Sequence, residues 1–144
     1  MVTFRLYPEP GRTLYVRINV HPTKKAMRAH VRGLDGEGIS RPSGTDRHAA
    51  GFSTPWHVLY ISPKRCRRDP CIAEVNLCRT ELTMRIVTHE LLHATMEWAR
   101  RIRFPFSRLG DDDQVNEEEE RIAYAHCRLC AEFMIRATAV GLYA

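Results

Sequence analysis

The sequence has no apolar run approaching the ~20 residues that a membrane span needs. Its opening residues, MVTFRLYPEPGR, are too poor in apolar side chains to form the h-region of a secretory signal. Its five cysteines are an odd number in no regular framework, which excludes a disulfide scaffold and fits free thiols in a reducing cytosol. No internal repeat and no second domain are visible. These absences predict a cytoplasmic protein that folds as one domain over residues 1–144, long enough to build a core without staples. A hydrophobic content of 44% with 27% charge places it among ordinary globular chains.

What is present in excess is local charge. The net charge of +5 hides a run of seven acids and no base at 111–120, DDDQVNEEEE, which leaves 22 bases against 10 acids elsewhere. A body this basic attracts nucleic acid or an acidic protein, and equally serves as a plain solvated surface. Its densest basic run, PKRCRRDP at 63–70, is flanked by prolines and reads as an exposed loop.

The order of elements predicts an α+β fold. VTFRLY and TLYVRINV flank the turn PEPGR and read as a hairpin. Thr23 caps a short helix, KKAMRAHVR, expected to stop near Gly33. Residues 33–56 are rich in Gly, Ser, Pro and Asp and read as a long loop. HVLYIS (57–62) and IAEVNLC (72–78) are strand-like, the second with Ala73, Val75 and Leu77 on one face and Ile72, Glu74, Asn76 and Cys78 on the other. Thr80 is the expected cap of a helix of roughly twenty residues. After the break RFPFSRLG, Asp113 is positioned to cap a last helix reaching about residue 140.

The first long helix contains RIVTHELLHATMEWAR, with His89 and His93 four apart and Glu90 beside the first. Four residues turn a helix by about 40° beyond one full circle, so both imidazoles reach a single ion from one face. Neutral imidazole nitrogen suits tetrahedral Zn2+. Glu90 lies about 100° round from His89, where a carboxylate can take a proton from water without filling a coordination position. Leu82, Ile86 and Met96 accompany the histidines, while Val87, Leu91, Ala94 and Trp98 form an apolar back face. The expectation is a helix buried between layers, in which two histidines and a glutamate need partners.

His89-Glu90-Leu91-Leu92-His93, preceded by IAEVNLC and followed by an acid-led helix, resembles the zincin metallopeptidases. It is most similar to small gluzincins, in which a glutamate on the following helix completes the metal site. The likeness spans about residues 70–135, and NEEEERIAYA also resembles the glutamate-bearing helix of regulatory peptidases that cleave phage-type repressors. The resemblance implies a minimal gluzincin fold: a short mixed sheet packed on the HExxH helix and a C-terminal glutamate helix, with Zn2+ as cofactor. The thermolysin-like Asn-Glu-x-x-x-Asp signature is half present, with Asn116-Glu117 in place and Arg121 where the aspartate belongs. SprT-like proteases, which act on DNA-bound proteins, use a third histidine soon after the pair. Here the next is His126, 33 residues beyond His93.

Two histidines need a third protein ligand and an open position to make catalytic zinc. Helical phase places Glu119 in a stripe with Val115, Ile122, His126, Cys130, Phe133 and Val140, with Glu118 at its edge and Glu117 and Glu120 outside. A glutamate inside an apolar stripe is costly unless paired or metal-bound, so the phase nominates Glu119 as third ligand. Matching ERIAYA to the resembling family nominates Glu120 instead. Acids at a helix N-terminus also complement the macrodipole, which accounts for the others. His126, two turns on, is a candidate donor to the oxyanion, a supporting partner of the site, or a satisfied core histidine; Tyr124 is phased less well. Cys127 and Cys130, with Cys66 and Cys71, are spaced too loosely for a four-cysteine zinc site and read as buried thiols.

The expected activity is zinc-dependent hydrolysis of peptide bonds in a protein substrate, with Glu90 as general base and the peptide extended along an exposed edge at 72–78. Two other readings follow from the same residues. One is a zincin-fold binding module that cleaves nothing, and the other is a nucleic-acid-associated protein with structural histidines.

Overall fold

The computed structural model describes residues 1–11, 13–36, 57–60, 70–106 and 117–143. Strands Val2–Leu6 (β1) and Tyr15–His21 (β2) form the antiparallel hairpin, with Val2 opposite Val20 and Leu6 opposite Val16. Gly11 takes φ +67° in the connecting turn, a conformation that costs glycine little. β2 then runs parallel to Cys71–Cys78 (β4), with Ile18 opposite Val75. His57–Tyr60 (β3) adds antiparallel to the other side of β4, so the sheet is mixed, in the order β1-β2-β4-β3. β4 is therefore an interior strand. The exposed edge expected at 72–78 is not there, because β4 uses both its ladders for pairing; among the described strands the edges are β1 and β3.

A parallel pair requires a crossover, and helix Lys24–Gly36 (α1) lies within it. Thr23 starts α1, its Oγ1 accepting from the Ala26 N–H at 3.2 Å. α1 passes through Gly33 instead of ending there. A single glycine costs a helix only about 1 kcal/mol and is no stop by itself.

Helix Met84–Arg101 (α2) follows a short 3-10 turn at Arg79–Glu81. Its cap is Thr83 and not Thr80: Thr83 is extended, and its Oγ1 accepts from Ile86 N–H at 3.3 Å. Thr80 lies inside the preceding turn, with its hydroxyl 3.2 Å from the Cys78 thiol. α2 ends with Arg103 in the left-handed region at φ 58°, which lets Phe104 N–H reach the Ala99 carbonyl at 2.9 Å. Glycine usually fills that position.

Helix Glu117–Ala139 (α3) runs back along α2. The Arg121 guanidinium stacks over Trp98, His126 meets Thr95, and Arg79 donates to the Gly141 carbonyl. Ala125, Leu129, Phe133 and Ala137 of α3 join Val87, Leu91, Ala94 and Trp98 of α2 in the core. Val16, Ile18, Val20, Ala73, Val75 and Leu77 supply the sheet's contribution. α3 also holds β1: Tyr7 N–H donates to Glu132 at 3.0 Å, Arg128 donates to the Tyr7 carbonyl at 3.1 Å, and the Phe4 and Phe133 rings pack 5.7 Å apart.

The α+β class stands as the sequence implied. Among the described residues no helix is long and apolar enough to cross a membrane. The Asp113 cap, the basic run at 63–69 and the Gly- and Ser-rich stretch at 37–56 lie outside the described residues.

Candidate metal centre

The His89 and His93 rings stand nearly perpendicular, 83° apart with centroids at 4.8 Å, and their Nε2 atoms approach to 3.2 Å. Two nitrogens each ~2.0–2.1 Å from a tetrahedral ion are separated by about 3.3 Å, so this spacing suits zinc without rearrangement. The Glu90 Oε1 lies 3.6 Å from His89 Nε2. Among the described residues, His89, Glu90 and His93 form the one group of three metal-capable side chains with ligand atoms mutually within 4.8 Å. Exposure divides them sharply: the His89 side chain is 60% exposed and that of Glu90 4%. A carboxylate held this way is shielded from bulk water yet reaches the open histidine face.

The helix is not buried on both sides, as its apolar content suggested. α3 covers the face bearing Leu91, Thr95 and Trp98, while Leu82, Ile86 and Met96 are half-buried and Leu92 is exposed alongside both histidines. The His89–Glu90–His93 group therefore lies at the surface, on a helix whose other face is buried.

Glu119 does not join it. The N-terminal turn of α3 lies at the level of Trp98, more than one turn of α2 beyond His93, and none of Glu117, Glu118, Glu119 or Glu120 belongs to the metal-capable group. Glu119 is exposed and Glu118 half-buried. The helical phase pointed to Glu119 because it gave weight to Cys130, which is half-buried, and Val140, which is exposed, while Val115 lies outside the described residues. The buried stripe actually follows Ala125, Leu129, Phe133 and Ala137, on which Glu118 falls and Glu119 does not.

His126 is likewise turned elsewhere. Its Nδ1 lies 3.4 Å from Thr95 Oγ1 and its Nε2 3.8 Å from the Cys130 thiol, between α2 and α3 on the side away from the histidine pair. Burial holds its pKa below the ordinary histidine value, against a smaller opposing pull from the Leu91 carbonyl. This is a half-buried histidine packed between the two helices and outside the metal-capable group. Tyr124 is exposed, as are Cys127 and its helix face. Cys71, Cys78, Cys127 and Cys130 form no disulfide, and burial pushes the Cys130 thiol up.

The sequence reading missed a second polar cluster, on the opposite face of the sheet beneath α1. Glu74 Oε1 accepts from Asn19 at 2.8 Å, His30 at 2.9 Å and Asn76 at 3.3 Å, while Arg17 approaches Oε2 at 3.3 Å. His21 Nε2 lies 3.0 Å from Asn76 Oδ1. Asn19, His21 and Asn76 are almost wholly buried. Burial lowers the His21 pKa, partly offset by the Asn76 bond and reinforced by the nearby His30 charge. The missed signal was alternation: Arg17, Asn19 and His21 share one face of β2, and Glu74 and Asn76 share the matching face of β4.

Comparison with protein-family models, with curated proteins and with solved structures finds no match to this chain.

Proposed function

We propose that the protein is a zinc-dependent metalloprotease that hydrolyses peptide bonds of a protein substrate. One observation carries the reading: two Nε2 atoms 3.2 Å apart on an exposed helix face, with a buried carboxylate beside them. His89 and His93 would hold the ion. Zinc bound there supplies Lewis-acid polarisation of a carbonyl and an acidified water.

Glu90 is the general base. It accepts a proton from the attacking water and delivers it to the leaving amine. Its placement on α2, a helix capped at Thr83 and packed through Val87, Leu91, Ala94 and Trp98, fixes the carboxylate relative to both histidines. β3 is an edge of the sheet and packs against α2, so an extended substrate adds there as a further strand.

The test pairs metal analysis with hydrolysis of an unfolded protein. Wild type is expected to hold close to one equivalent of zinc and to cleave. Glu90→Gln is expected to keep the zinc and lose ~10²–10⁴ in rate, the usual share of general acid–base catalysis. Failure of wild type to take up zinc, or equal cleavage by Glu90→Gln, overturns the proposal. Zinc uptake without cleavage by wild type favours the binding-module reading.

A further inference from the structure

α1 is attached to the sheet in a different way from α2 and α3. Among the described residues it contributes nothing to the apolar cluster that α2, α3 and the inner face of the sheet build together. Met27, its one fully buried apolar side chain among them, lies outside that cluster. α1 rests instead on the polar face of β2 and β4. There His30 Nε2 donates to Glu74 Oε1 at 2.9 Å, and the His30 ring stands over that of His21 with centroids 5.1 Å apart. A helix docked through titratable groups answers to pH before one held by apolar packing does.

The cluster beneath α1 is arranged for a neutral His21. Asn76 Nδ2 faces the Glu74 carboxylate at 3.3 Å, which turns Asn76 Oδ1 toward Asn19 Nδ2 and His21 Nε2. That oxygen only accepts, so His21 Nε2 carries the ring proton and a second proton has to sit on Nδ1. His21 is 2% exposed, so the resulting cation is cut off from water. Its charged surroundings are unevenly matched. β2 supplies Arg17, α1 supplies His30, and the Met1 ammonium adds to their field; β4 supplies Glu74, whose carboxylate already takes Arg17 and His30. Lys24 of α1 pairs with Glu81. Cys78, opposite His21 in the ladder, has its thiol against Thr80, and register sets Tyr60 of β3 opposite Glu74. A proton on His21 therefore meets more positive groups than one carboxylate can pair.

We infer that α1 is an acid-released element: when His21 and His30 both carry a proton, the helix leaves the sheet while the core of α2, α3 and the sheet stays folded. Release opens the polar face of the sheet to water, where both imidazolium groups are hydrated. The sign follows from the proton balance. Burial holds the docked His21 below the ordinary histidine value, whereas the undocked His21 takes up its proton at that value. Docking is fully favoured above about pH 6.5 and loses that advantage as pH falls through the depressed value. His126 is also held low by burial, but it lies between two helices that share the apolar cluster, a reserve that the described part of α1 lacks. The inference makes no use of the metal centre.

Hydrogen exchange of the full chain at several pH values between 7 and 5, read by mass spectrometry and corrected for the intrinsic pH dependence of exchange, tests the inference. In wild type the amides of α1 are expected to lose protection by about tenfold or more over that range, the scale of one linked proton, while those of α2 and α3 keep theirs. His21→Asn retains an amide donor for Asn76 and takes up no proton. It is expected to flatten the pH dependence of α1 protection, whatever it does to protection at pH 7. His30→Gln keeps a donor for Glu74, removes the second cation and is expected to flatten it in part. Wild-type α1 that stays protected at pH 5 overturns the inference. So does loss of protection in all three helices together, or a His21→Asn protein whose α1 opens with the same pH dependence as wild type.

Discussion

The protein contains two sets of two histidines and a glutamate, built from the same side chains and handled in opposite ways. Under α1, His21, His30 and Glu74 are embedded among Asn19, Asn76 and Arg17, and Glu74 Oε1 already accepts three hydrogen bonds. On α2, His89 and His93 direct nitrogen at nitrogen across 3.2 Å, a gap that one proton or one ion fills. In the first set amide donors saturate the carboxylate, leaving a cation nothing to gain. In the second, the two ring nitrogens face each other on an exposed helix face, with the Glu90 carboxylate beside them. The residue set therefore does not make a metal centre. A candidate centre also needs ring nitrogens that converge from one helix, as those of His89 and His93 do.

The largest expected effect breaks this contrast at the open set. His93→Ala should cost more zinc affinity than the ~10–100-fold that loss of an outer-shell partner costs, while His30→Ala should leave zinc stoichiometry unchanged. Zinc titration of the two variants checks both halves, and equal loss in each would mean the two sets are not distinct.

Next in size is Asn76→Ala. It strips partners from His21 and Asn19, both buried, at about 1–3 kcal/mol for each polar group left unsatisfied. Urea unfolding should report that loss with zinc content intact. If stability is unchanged, the sheet cluster is not the anchor of α1 that its hydrogen bonds describe.

A smaller effect concerns acid. Burial lowers the pKa values of His21 and His126, so the native state holds both neutral while the unfolded chain protonates them at ordinary histidine values. Their contribution to stability is present above about pH 6.5 and is lost as pH falls through the depressed native values. The urea midpoint should fall from pH 7 to pH 5, and His21→Asn should flatten part of that fall. A slope unchanged by the substitution would remove His21 as a source of it.

The smallest expected effect is at Glu119. With the α3 acidic turn beside Trp98, Glu119→Ala should alter zinc affinity by no more than about twofold, the scale of a helix-dipole charge. A loss of orders of magnitude would show that α3 shifts toward His93 when the metal binds, and would return Glu119 to the ligand set.

The sequence made some features legible and hid others for physical reasons. Helix and strand periods are local, so the hairpin, β4 and both long helices were readable from alternation and spacing, as was the convergence of His89 and His93. Pairing order is not local. Nothing in IAEVNLC says that β2 on one side and β3 on the other occupy its two ladders, so an interior strand passed for an edge. The α2 cap was misplaced because Thr80 and Thr83 are equivalent on paper, and only the 3-10 turn decides between them. The face of α3 that meets the core depends on a packing angle, and a small rotation carried Glu119 out to solvent.

One feature of the fold bears on how the chain is made. The backbone of Tyr7 is held by Arg128 and Glu132, across sequence separations of 121 and 125 residues. The first strand thus waits, at ~5–20 residues per second, for a helix synthesised more than a hundred residues later. α2 emerges between them with its Leu91 and Trp98 face still uncovered. During those seconds the histidine pair has its spacing but not its backing, and the nascent chain is exposed to misassembly at that face.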